Sequence, residues 1–181
     1  MAAPEIERFR PNMLFSWFRF LDETLYVVDS VEQTLKQRFS GLQLVAAYPD
    51  SLFELKAPIV AITGTEVGDG QVNVYGEGEF GLEFLLHAYG FVVGQGGGKS
   101  RAQANRIYSD RLMSDIQGLV FVARSSGIPL YDHASKAALG KSAEVLSVVA
   151  RTIPRVSPIT EADEHRFLVE ARVEYVSPTE G

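Results

Sequence analysis

Apolar side chains recur at helical spacing through roughly the first forty residues and at strand spacing soon afterwards. Leu14, Trp17, Phe18, Leu21, Leu25, Val28 and Leu35 fall on one helical stripe. Within that stretch Thr24–Val28 is β-prone, and Ser30-Val-Glu-Gln33 fits a capping box, so the spacing also admits a second helix starting at Ser30. Residues 41–58 read as a connector, with turn chemistry at Tyr48-Pro-Asp-Ser51. Ile59–Thr65 and Gln71–Tyr75 then flank Gly68-Asp69-Gly70, which predicts a hairpin. A further strand is predicted over Phe80–Val93. Phe80, Leu82, Phe84, Leu86 and Ala88 share one face, and Glu83 and His87 share the other. Near its end Leu85, Tyr89 and Phe91 make both faces apolar, as expected where a sheet is covered on both sides.

A glycine run, Gly94-Gln-Gly96-Gly97-Gly98, leads into a helix. Its start is marked by the capping box Ser100-Arg-Ala-Gln103 and its apolar stripe by Ile107, Tyr108, Leu112, Ile116 and Leu119. An irregular part follows over 124–140, then strands over 144–156 and 166–176. In the last strand Phe167, Val169, Ala171, Val173 and Tyr175 alternate with Glu170, Arg172 and Glu174. The expected fold is α+β: a mostly antiparallel sheet of about five strands with helices packed on one side. Residues 23–181 form one domain in this reading, preceded by an aromatic arm over residues 1–22.

Composition narrows the function. The 181 residues fit one domain and have the apolar and charged fractions of a globular chain. With no cysteine, disulfides, thiolate metal sites and thiol catalysis are excluded. Seventeen basic against 23 acidic residues leave a net charge of −6, which argues against wrapping nucleic acid. The longest stretch free of charge, Phe84–Gly98, is short and broken by glycine, so no membrane span is expected, and no signal peptide is evident.

The strongest motif is Gly94–Lys99-Ser100, between a strand and a helix, because glycines that free backbone N–H groups, then Lys and a hydroxyl, cradle phosphate. Its spacing is off, since Val93 stands where the phosphate-binding loop opens on glycine, and no magnesium-binding Asp ends an apolar strand. The bland reading is a glycine connector. A nucleotide-binding enzyme using Lys99 and Ser100 stays as the less favoured alternative. Gly98-Lys-Ser100-Arg-Ala102 also approaches a nucleophile elbow, but His87, His133 and His165 give it no triad order. Those histidines lack metal spacing, and Glu77/Glu79 and Asp163/Glu164 read as solvated turns. No catalytic, cofactor-binding or metal-binding residue is assigned, and no enzymatic activity is expected.

The aromatic start departs from the ordinary for a physical reason. Phe15, Trp17, Phe18 and Phe20 offer more apolar area than one amphipathic face hides, and Phe15 lies about 100° round the wheel from Leu14. Either these residues belong to a core helix, or they form a docking arm for another subunit.

Taken together, the order of elements resembles the tail terminator, or tail completion, proteins of long-tailed bacteriophages. The likeness is carried by Thr34–Phe39, Leu55–Ile62, Leu82–Phe91, Arg106–Ile116, Ile128–Asp132 and Arg166–Tyr175, and spans roughly residues 24–177. It implies a structural virion protein whose partners are itself (a ring of six copies), the tail tube protein and a neck or head-completion protein. Such a ring stops tube polymerisation at the tail–neck junction, after assembly in the host cytoplasm, with no membrane involved. DNA passes its channel without specific binding, which the acidic balance suits. A tube or neck component of the same tails is the nearest alternative. The expected interface residues are Phe15, Trp17, Phe18 and Phe20, with Gly68, Asp69 and Gly70 of the first glycine turn and Gly96 and Gly97 of the second as partner-facing loops.

Overall fold

A computed structural model describes residues 9–46, 58–68, 72–74, 80–93, 101–154 and 164–176. It is an α+β fold in which helices α1 (Phe9–Glu23) and α3 (Arg101–Ser126) lie against one face of a curled sheet. Among the described residues the sheet has seven strands: β3 (Gln43–Val45), β4 (Ile59–Glu66), β5 (Val72–Val74), β6 (Phe80–Val92), β7 (Ile128–Tyr131), β8 (Ala138–Ile153) and β9 (His165–Val176). Their order is β3-β4-β6-β9-β8-β7, with β5 also on β6, and every pairing is antiparallel except β3 with β4. Among the described residues, no helix is long and apolar enough to cross a membrane.

Period-two alternation decides which face each strand buries. Leu82, Phe84, Leu86 and Ala88 of β6 join Phe167, Val169, Ala171, Val173 and Tyr175 of β9 in the core. Leu112, Ile116, Leu119, Val120 and Ala123 of α3 cover them. Gly90 is required in this layer. A Cβ there would stand 1.9 Å from the ring of Phe167, which packs flat over the glycine. α3 stops where Gly127 takes a positive φ of 74° and its N–H caps the Ala123 carbonyl at 2.7 Å.

Three expected features take another form. Residues 26–33 make a small hairpin, β1 (Tyr26–Val28) with β2 (Val31–Gln33), turning at Asp29 and Ser30, which both adopt positive φ. Ser30 is therefore a turn residue. The capping box sits four residues on, where Thr34 and Gln37 open the short helix α2 (Leu35–Arg38). The stretches around Gly68 form no hairpin with each other. β4 and β5 lie end to end along β6, whose length accepts both, at Phe84–Phe91 and at Phe80–Leu82. The irregular part predicted over 124–140 holds the end of α3, all of β7 and the start of β8.

Candidate functional site

The aromatic helix comes first, because its surplus of apolar area was the main sequence anomaly. α1 touches β4 and β6 on one half of the sheet and β7 at the far edge, so the curled sheet forms a trough around it. A helix in a trough buries more than one stripe. Phe9, Met13, Trp17 and Leu21 are fully buried, and Phe18 and Phe20 pack partly against the same core. Trp17, at 0% exposure, stacks on Phe20 at 5.9 Å and donates its indole N–H to the His87 carbonyl at 3.2 Å. It has no surface left for a partner, so the expectation that it lies at an interface is corrected. Two buried polar side chains fasten the helix to the edge of the sheet. Ser16 Oγ accepts from the Tyr131 N–H and Asn12 Oδ1 from the His133 N–H, each at 2.9 Å. Over its described residues, 9–23, the aromatic segment is thus built into the domain core.

What remains of α1 at the surface is a rim of cations on rings. The Lys136 ammonium stands 4.2 Å over the half-buried Phe15, and the Arg19 guanidinium 4.1 Å over Tyr131. Arg19 also pairs with Glu23 at 2.6 Å, which raises its already high pKa. Gly68 is exposed just beyond β4. Asp69, Gly70, Gly96, Gly97, Lys99 and Ser100 lie outside the described residues.

The other face of the sheet is covered by neither α1 nor α3, and it divides in two. Towards one end, Ile59, Ala61, Phe91 and Leu168 are buried. Towards the other, Glu83, Glu144, Glu170 and Glu174 share the face with His87 and Arg172, while Arg151 lies beside Leu168 at the apolar end. His87 Nε2 meets Glu170 Oε2 at 3.0 Å, Arg172 Nε donates to Glu83 at 2.6 Å, and Asn73 reaches Glu174 at 3.3 Å. Glu83 and Glu144 both stand directly across from Glu174, so three carboxylates run side by side over β6, β9 and β8. Of the three, Glu83 pairs with the Arg172 guanidinium.

Among the described residues no group of three or more His, Asp or Glu is placed to hold a metal ion. The acids beside histidines have other contacts: Asp132 Oδ1 accepts from the N–H groups of Ala134 and Ser135 to close a turn, and the Glu164 carboxylate pairs with the Arg166 side chain. A polar cluster elsewhere is also structural. Tyr26 donates to Asp115 Oδ2 at 2.8 Å, and Arg38 Nε meets the same oxygen at 2.6 Å, which seats β1 and α2 on α3. Burial, then the bond to Asp115, pushes the Tyr26 pKa up; burial alone lifts Tyr108 to about 12.

The strand edges complete the surface. β3 is short, and β7 is short, carries Pro129 and is held by α1, which are usual ways to blunt an edge. β8 is different. β7 covers it only as far as Ala143, and among the described residues no strand pairs with its outer side over Glu144–Ile153. Among the described residues no strand pairs with the β3 side of Ile62–Glu66 of β4 either.

No protein-family model matches this chain, and no curated protein matches it. Function therefore has to be read from the chain's own surfaces. Of the expected interface residues, Phe15, Phe18 and Phe20 keep some exposure on α1. Sequence reasoning passed over Glu144 and Arg151. Their signal was present as two opposite charges in a long alternating strand.

Proposed function

We propose that this chain is a structural protein that assembles with copies of itself into a ring at the end of a phage tail tube. There it halts tube growth and offers a different surface to the neck. The observation that carries this reading is a carboxylate-bearing half of a sheet face, covered by neither α1 nor α3, lying between two edges that no described strand pairs. An edge on each side of one sheet lets the same surface repeat head to tail, and such heterologous contacts close into rings. The half of the face that groups Glu83, Glu144, Glu170 and Glu174 suits the wall of a channel through which DNA slides, because like charge prevents sticking. The resemblance in element order supports the same role, and so do the cysteine-free composition and the lack of assembled chemistry among the described residues. The half-exposed Phe15, Phe18 and Phe20, with the turn at Gly68, are the proposed contacts to tube or neck.

Deletion of this chain from its phage tests the role. Overlong, headless tails are the expected outcome. Tails of normal length joined to heads rule the role out, and particles with no tail at all identify a tube subunit instead.

A further inference from the structure

The open edge of β8 has a self-complementary charge pattern. Glu144 and Arg151 are both exposed, and neither has an ion-pair partner among the described residues. They share the face that neither α1 nor α3 covers, since Glu144 lies across from Glu174 and Arg151 across from Leu168, alternate residues on one side of β9. The Glu144–Glu174 pairing sets like charges directly opposite each other, an arrangement that weakens a sheet. Arg151, facing a leucine, has no carboxylate to answer it.

We infer that the Glu144–Ile153 edge pairs antiparallel with the same edge of a second copy of this chain, about a twofold axis at Val148. Counting outward from Val148, Arg151 is the third residue in one direction. In the other direction Ser147, Val145 and Glu144 are the successive ladder positions, because the register shift between Val145 and Ser147 leaves Leu146 as a bulge. Glu144 of each copy therefore falls opposite Arg151 of the other, on the same face. Two ion pairs form at once, and each relieves the repulsion between Glu144 and Glu174. The exposed Val149 comes to lie opposite Ser147, so no charge is buried against an apolar group. Backbone N–H and C=O groups left open on a long strand are paired without reshaping the fold.

This pairing is independent of the ring reading and competes with it for one edge. A twofold contact closes at two copies, so the dimer is the form of the free chain, and it guards the edge until assembly takes it over.

Sedimentation of the full chain at about 100 μM and at tenfold dilutions provides the test. The wild type is expected at twice the 19.9 kDa chain mass at the highest concentration, dissociating on dilution. Glu144→Lys and Arg151→Glu each set like charges across the axis and are expected to weaken the dimer about tenfold or more. The double reversal E144K/R151E restores the pairing. Circular dichroism confirms folding of each variant, and Glu144→Lys gains a favourable neighbour in Glu174 of its own chain. A wild type that stays monomeric at the highest concentration overturns the proposal. So do dimers indifferent to both single reversals, or folded double-reversal chains that remain monomeric. None of these outcomes touches the tail phenotype, so the dimer and the ring fail separately.

Discussion

The two faces of the sheet use opposite chemistry on the same strands. On the helix-covered face, β6 and β9 present Phe84, Leu86, Val169 and Val173 at essentially no exposure, and α1 and α3 fill the space above. On the other face, over the half away from the buried Phe91 and Leu168, the same strands carry Glu83, His87, Glu170, Arg172 and Glu174, spaced as pairs and like-charge neighbours. Burial of a large apolar side chain contributes ~1.5–3 kcal/mol, whereas an exposed ion pair contributes ~0–1 kcal/mol. Stability is thus concentrated on the covered face. The charged face and its edges are left able to meet partners at little cost to the fold.

Trp17→Ala should strike hardest, because it opens a cavity in the trough and removes the bond to the His87 carbonyl. A loss of ~3–5 kcal/mol is expected in denaturant unfolding. Phe15→Ala, two residues away with its ring under Lys136, should cost ~1 kcal/mol or less. Equal effects would erase the distinction between trough and rim. Gly90→Ala comes next: a methyl group against the Phe167 ring forces the two apart, for ~1–3 kcal/mol and a lower midpoint of thermal unfolding.

Alkaline pH probes the cluster that seats β1 and α2 on α3. Burial raises the folded pKa of Tyr26 and Tyr108 above the ordinary value of 10.0, Tyr108 to about 12. The unfolded chain thus loses these protons first. The contribution is whole below pH 10, declines between there and about 12 for Tyr108, and continues to fall higher for Tyr26. Circular dichroism across this range should show unfolding that Tyr108→Phe shifts to higher pH. The smallest effect is reserved for the charged face. Glu83→Gln removes the partner of the half-exposed Arg172 and should change stability by less than ~0.5 kcal/mol. A large loss there would make that face part of the scaffold.

Alternation in residues 80–92 and 166–176 made the two central strands and their buried faces readable from the sequence, and the α+β class followed. Where tertiary geometry decided, local signals fell short. Thr24–Val28 had β propensity inside a helical stripe, and the hairpin prevailed because Asp29 and Ser30 accept positive φ. Ile107 fits the stripe of α3 yet is 44% exposed, since α3 turns Asn105 and Ser109 inward instead. The surplus aromatics of α1 could not be placed from a helical wheel, which assumes one buried face; the curl of the sheet supplies more than one. Glu144 and Arg151 gain meaning only once β7 is seen to pair with β8 no further than Ala143, leaving their edge without a described strand partner.

Hydrogen exchange on the chain before and after it joins a tail tube tests the assignment of assembly to the β8 side most directly. Free chain diluted below the level of self-pairing should exchange rapidly at the outward amides of Glu144–Ile153, and the assembled chain should protect them. Amides of β6 and β9 beneath α1 and α3 should be slow in both states. Assembly that leaves the β8 edge exchanging freely, and slows amides only elsewhere, is incompatible with this division of labour.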